Sequence, residues 1–276
     1  MPDVVVATDL VLGHGSHVAV QASSFTIPAG RVTTVIGPNG GGKSTLLHAI
    51  AGLITPLAGS LRVLDAHPHE MREHLSYVLQ YTTVPVGTPI TVAETVMMGR
   101  YPRMGLFRRP TADDRARVRE AMERLQITDL AGRHLSELSG GQRQRVYVAQ
   151  GIAQEHDVLL LDEPLTGLDI ASAQTIDEII HQEPTGGCTV ILTTHDLDEA
   201  RASDHVVLLA GRVIASGPPE QVLTAEHLMT AYGLGGLHAG SEPKVGADHH
   251  HHHEHHEHDH HGHAHEHGHD HPEGRR

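Results

Sequence analysis

The sequence predicts an α/β fold built around a phosphate-binding loop, and three observations carry that prediction. An apolar run before Gly37 leads into "GPNGGGKS" and then into residues with helical spacing. A second apolar run, "VLLL", ends on the acids Asp162 and Glu163. Between these runs, helix-start signals recur ahead of amphipathic stretches.

Taken in order, "MPDVVVATDL" begins directly in a strand-like run with no basic region, so no signal peptide is expected. The run before Gly37 reads as a buried strand. The run after Lys43 reads as a helix, with Leu46, Leu47, Ile50 and Leu53 on one face. Between them, Gly37, Pro38, Asn39, Gly40, Gly41, Gly42, Lys43 and Ser44, followed by Thr45, fit G-x-x-x-x-G-K-[ST] in the strand-to-helix context the motif requires. Glycines let the backbone wrap an anion with its N–H groups inward, and the helix dipole adds to the attraction. Lys43 is expected to reach the β- and γ-phosphates and Ser44 to ligate Mg²⁺. Only Lys43 and Lys244 among the 20 basic residues are lysines, which marks position 43 as one that wants a compact ammonium.

"TPITVAETVMMGR" offers Thr91 and Glu94 as a capping box, and "PTADDRARVREAMERL" puts Val118, Met122 and Leu125 on one helical face. In "ELSGGQRQRVYVAQGIA", Ser139 and Gln142 form another capping box, with Val146, Ala149 and Ala153 as the apolar face. Gly140 and Gly141 at that capped helix start offer a second anion site. Val158 to Leu161 read as a short buried strand ending at Asp162, where a carboxylate can hold Mg²⁺ through water. Glu163 follows directly and is placed to act as general base on a water. "VVLLAGRVIASG" reads as a hairpin turning near Gly211.

Composition bounds the rest. The 276 residues, 38% hydrophobic, suit one globular domain, and no run approaches the roughly 20 apolar residues that span a bilayer. Cys188 is the single cysteine, so no internal disulfide forms and a reducing cytoplasm is expected. The net charge of −14 divides into −5 from Ser241 onward and −9 before it, which argues against a nucleic-acid partner.

From about Val4 to Gly233 the chain resembles the nucleotide-binding subunits of ABC transporters. "GPNGGGKST" looks like the Walker A motif, Leu138 to Gln142 ("LSGGQ") the signature, and "VLLLDE" the Walker B motif. "GLD", ending at Asp169, looks like the D-loop, His195 in "LTTHDL" the switch histidine, and Gln80 in "SYVLQY" the Q-loop glutamine, a further candidate near Mg²⁺. The resemblance implies a P-loop NTPase: a RecA-like core with an antiparallel β part over residues 1–236, interrupted by a helical subdomain at about 82–153. It also implies ATP with Mg²⁺ as ligands, and two such domains paired head to tail, most simply as a homodimer. Ser139, Gly140, Gly141 and Gln142 would then serve the ATP of the opposite chain. Glu163 would activate water while His195 and Lys43 stabilise the transferred phosphoryl. The chain would sit peripherally on the cytoplasmic face of the membrane and drive an integral permease subunit docked near the segment after Gln80. His14 stands where a tyrosine commonly stacks on adenine, and two readings stay open: a stacking imidazole or a solvated loop histidine.

"VMMGRYPRMGLF" looks most like importers of metal ions and metal chelates, for which an extracytoplasmic metal-binding protein is expected as a further partner. The chain's end agrees. Residues 237–276 carry almost nothing apolar and are expected to be disordered. Their histidines, His249, His250, His251, His252, His253, His255, His256, His258, His260, His261, His263, His265, His267, His269 and His271, are good Zn²⁺ ligands near neutral pH. A metal buffer or sensor is the expected role, although His249 to His253 alone also match a purification tag. The leading function is therefore the ATPase of a zinc uptake system, with manganese, nickel, cobalt or a metal chelate behind zinc. A soluble ABC-type ATPase of repair or translation and a storage protein with a vestigial ATPase are the competing classes. The chain has neither the long coiled-coil insertion of the repair members nor the paired cassettes of the translation members, and the complete motif set opposes the storage reading.

Overall fold

The computed structural model describes residues 2–15, 17–79, 88–104 and 109–233. Gln80 and the histidines of 249–271 lie outside the described residues. β1 (Asp3–His14) and β2 (His17–Pro28) form an antiparallel hairpin. β3 (Val32–Ile36) enters a second sheet, α1 (Lys43–Ile50) follows the glycine loop, and β4 (Ala58–Val63) returns to pair with β1. The first sheet thus has the order β2-β1-β4. The second gains β5 (Leu75–Val78), β6 (Val158–Asp162), β7 (Thr189–Thr194), β8 (His205–Leu209) and β9 (Val213–Gly217), in the order β5-β6-β7-β3-β8-β9. It is parallel except for the β8–β9 hairpin, which turns at Gly211 (φ +67°) as its sequence predicts.

β3, β6 and β7 are buried at every position, as parallel strands covered on both faces must be; this explains the unbroken apolar run of β6, while β3 and β7 mix apolar residues with buried threonines. Their side chains alternate between two cores. Leu159, Leu161, Val190 and Leu192 face the core shared with the helices between β5 and β6. Val158, Leu160 and Ile191 face the core shared with α1 and the first sheet.

Between β5 and β6 lie α2 (Val92–Met98), α3 (Tyr101–Met104), α4 (Ala112–Arg124) and α5 (Gly140–Ala153). The predicted capping boxes Thr91–Glu94 and Ser139–Gln142 both form. A third, Thr111–Asp114, starts α4 and was not anticipated. Asp114 also accepts a 3.0 Å hydrogen bond from buried Arg100, whose other arm donates to the carbonyl of Ala153 at the end of α5. One cap thus fixes the packing of two helices. Val118, Met122 and Leu125 are buried as expected. After β6 come α6 (Ile170–Gln182), α7 (Leu197–Ala202), α8 (Pro219–Val222) and α9 (Ala225–Tyr232).

One sequence expectation is corrected. Leu53 does not extend the buried face of α1, because the helix stops at Ile50 and Leu53 is 57% exposed. Gly52 (φ +67°) turns the chain away, in a spot where a Cβ would meet the backbone of Pro68 and His69 at 2.8 Å.

Candidate nucleotide site

Parallel register builds the site. Ile36 of β3 pairs with Thr194 of β7, and Thr193 pairs with Asp162 of β6. The glycine loop after β3, the acids at the end of β6 and His195 after β7 therefore emerge at one edge, the carboxyl edge where α/β sheets bind ligands.

The loop has the features of an anion cradle. A Cβ on Gly37 would lie 1.8 Å from the Leu209 carbonyl oxygen, so only glycine fits the close approach to β8. Gly42 (φ +99°) is left-handed, and a Cβ there would strike Val20 at 2.6 Å. Gly42 gives α1 no side-chain cap, and the first turn holds no acid, so its N–H groups are left for an incoming anion. Lys43 is only 7% exposed, and its ammonium donates to the carbonyls of Gly37 (2.9 Å) and Pro38 (3.3 Å). Burial pushes its pKa down, while the charges of Glu163 and Asp162 work against that shift. An open cleft of about 320 Å³ runs past this loop. It is lined by His14, His17, Ala19, Asn39, Gly40, Gly42, Lys43, Ser44, Thr45 and Glu163. His14 thus borders the same cleft as the phosphate loop.

Thr193 organises the acids. Its buried hydroxyl donates to Asp162 Oδ1 (2.6 Å), and Thr193 Oγ1 itself accepts the Glu163 N–H (2.9 Å). The Tyr77 hydroxyl approaches Asp162 Oδ2 at 3.4 Å, and burial together with that carboxylate pushes the phenol well above its ordinary range. Glu163 has φ +46°, a conformation rare outside glycine that costs on the order of 1 kcal/mol or more. Its carboxylate accepts from Thr166 (3.3 Å) and stands 3.8 Å from His195 Nδ1.

The predicted signature lies elsewhere. Ser139, Gly140, Gly141 and Gln142 open α5, and none of them lines the cleft. Ser139 Oγ accepts the Gln142 N–H at 3.2 Å, and the Gln142 side chain accepts the Ser139 N–H at 3.0 Å. Gly141 packs tightly against α6, where a Cβ would come within 2.5 Å of both Asp169 Oδ2 and Ser172 Oγ. Asp169 caps α6 by accepting from Ser172 N–H (3.0 Å), which holds its carboxyl below the usual range.

Sequence reasoning missed Thr193, Tyr77 and His17. Thr193 carried a signal, since a threonine pair ending an apolar strand directly before His195 is polar material where the strand needs none. His17 and Tyr77 carried none, because each reaches the site only through strand pairing.

A parallel sheet with a phosphate loop and an acid pair at its carboxyl edge defines a P-loop ATPase. The ABC transporter family model matches residues 20–166. The manganese transport system ATP-binding protein of Listeria monocytogenes is 36% identical over 81% of this chain and 94% of its own length. The zinc transport system ATP-binding protein of Treponema pallidum is 38% identical over 82% of this chain and 85% of its own length. Among solved structures, an inward-facing ABC transporter described as metal-chelate type aligns with a TM-score of 0.74 at 29% identity, over 84% of this chain and 90% of that one. The chain belongs to the ABC transporter family as an ATP-binding subunit, an ATPase whose hydrolysis is coupled to transport.

Proposed function

We propose that this subunit powers uptake of a divalent transition metal, zinc first, through a separate membrane permease on whose cytoplasmic face it sits. The observation that carries the reading is the meeting of phosphate loop, acid pair and His195 at one sheet edge, in a chain whose relatives are named for manganese and zinc transport. The bare first turn of α1 and the glycine cradle suit ATP phosphates, with Lys43 as the point charge. Ser44 and Asp162, hard oxygen donors, suit Mg²⁺, which would neutralise phosphate charge when bound. Glu163, whose backbone Thr193 fixes, would take a proton from water, and His195 beside it would contact the phosphoryl group. No helix among the described residues is long and apolar enough to cross a membrane. A groove of about 300 Å³ between Leu79, Met98, Pro102 and Tyr147 suits a short permease helix.

Zinc is favoured by the imidazole-rich chain end, since imidazole selects zinc over manganese. Manganese is the second reading, supported by the Listeria relative. The test is ATPase and uptake by the complex with its permease, metal by metal, with Glu163→Gln as control. Zinc-stimulated turnover, absent in Glu163→Gln while ATP binding persists, is the expected result. Near wild-type hydrolysis by Glu163→Gln would overturn the base assignment, and uptake of manganese without zinc would replace the substrate.

A further inference from the structure

A second cluster of ligand-type side chains lies at the opposite edge of the sheet from the nucleotide cleft. His156 precedes β6, Glu183 follows α6, and Cys188 immediately precedes β7. One ligand atom from each, an imidazole nitrogen, a carboxylate oxygen and Cys188 Sγ, lie within 4.8 Å of one another. Among the described residues this is the one group of three such side chains so close together.

The imidazole is prepared for a cation. Nδ1 lies 2.6 Å from the Gln154 carbonyl oxygen, which can only accept, so Nδ1 carries the proton. In the neutral ring that leaves Nε2 with an unshared lone pair. The side chain is 95% buried, at 5% exposure, and Nε2 has no hydrogen-bond partner among the described residues. Glu183 Oε2 lies 3.5 Å from it. Leaving Nε2 bare in the interior is costly, so it calls for a proton or a cation. The surroundings match a metal ligand's outer contacts, in which the other ring N–H is held by a backbone carbonyl. Arg124 holds Glu183 Oε1 at 2.6 Å and so aims Oε2 at the histidine.

We infer that His156, Glu183 and Cys188 form a binding site for one zinc-like divalent cation, separate from both the nucleotide cleft and the histidines of the chain's end. Nitrogen, thiolate and carboxylate together suit Zn²⁺ or Co²⁺ and exclude Mg²⁺ and Ca²⁺. Tetrahedral zinc spaces its ligand atoms by about 3.3–3.8 Å, so side-chain shifts of roughly 1 Å close the site and leave one position for water. The cation would tie the ends of α5 and α6 to the starts of β6 and β7. The far ends of these same elements carry Ser139, Asp169, Asp162 and Thr193. A proton is the competing occupant. Burial opposes the charge, but Cys188 and Glu183 beside the ring lift His156 to about 10.

The single cysteine makes the test specific in the full chain. Co²⁺ titrated into the whole protein should give a thiolate-to-cobalt charge-transfer band, which only Cys188 can supply, and Zn²⁺ should bleach it. His156→Gln and Glu183→Gln keep the thiol, and each should weaken Co²⁺ binding at that band on the order of tenfold or more, with an unchanged circular dichroism spectrum. If cobalt saturates the histidines of the chain's end and no thiolate band develops, the cluster holds only a proton and the proposal falls. A band that both variants leave unchanged overturns it equally.

Discussion

Thr193→Val tests whether one buried hydroxyl holds both acids of the site. Valine keeps the volume and the strand preference of β7 and replaces only the hydroxyl with a methyl, at a position that is 0% exposed. Two bonds go with it. Asp162 loses a 2.6 Å charge-assisted hydrogen bond, worth about 1.5–3 kcal/mol, and the Glu163 N–H loses its 2.9 Å acceptor, at about 1–3 kcal/mol. The added methyl returns about 0.8 kcal/mol. Net destabilisation of about 2–5 kcal/mol is expected from urea unfolding. Part of that loss falls on Glu163, whose left-handed backbone is free to relax once its N–H is released. If about 1.5–3 kcal/mol of the loss appears in the transition state, kcat for ATP falls about 10- to 150-fold. ATP affinity should change less than about threefold, on the order of 0.6 kcal/mol, because Thr193 does not line the cleft. Thr193→Ser, which keeps the oxygen and loses a methyl, should cost about 1 kcal/mol of stability and leave kcat nearly intact. The reasoning is refuted if the valine variant hydrolyses ATP at near wild-type rate, or if serine is as damaging as valine.

Three further outcomes follow from the same geometry. Lys43→Ala should lose measurable ATP binding by calorimetry, and Lys43→Arg should also be impaired, since a planar fork does not fit the carbonyl pocket that holds the ammonium; unchanged affinity in the alanine variant would remove the phosphate-loop assignment. His14→Tyr should tighten ATP by on the order of 1 kcal/mol if this cleft-lining residue stacks on adenine, and an unaltered preference for ATP over GTP would leave it a solvated loop residue. Asp114→Ala removes the carboxylate half of the α4 capping box and strands buried Arg100, so about 3–5 kcal/mol of stability should go. Hydrogen bonds from Thr111 and Arg100 depress the Asp114 carboxyl to about 2, so its contribution is full above about pH 4 and lost as pH falls toward 2; acid unfolding of the alanine variant should lack that component.

What could be read from sequence was local. The glycine loop, the Asp162–Glu163 pair and two capping boxes each depend on residues at most seven positions apart, so chain order alone displays them. Most of the failures needed a second strand or a distant turn. Gly52, beside Leu53, is a local stop signal that the helical spacing masks, and its close approach to Pro68 and His69 fixes the turn there. Thr193 meets Asp162 across 31 residues of sequence, through the parallel pairing of β6 and β7. His156, Glu183 and Cys188 look unrelated along the chain and meet because α6 spans the length of the sheet between them.

That span also bears on how the subunit works. The capped starts of α5 and α6 are packed together through Gly141, Asp169 and Ser172. Ser139 and Asp169 are nevertheless exposed, and neither borders the chain's own cleft. A capped helix start with two glycines suits an anion, and the cleft beside Lys43 opens to solvent. The ABC resemblance implies a two-fold pairing, in which each chain would offer its Ser139 end to the other's phosphate loop. The α5–α6 contact at Gly141 would then carry motion from one cleft into the helices between β5 and β6, where Leu79, Met98 and Tyr147 border the proposed permease groove.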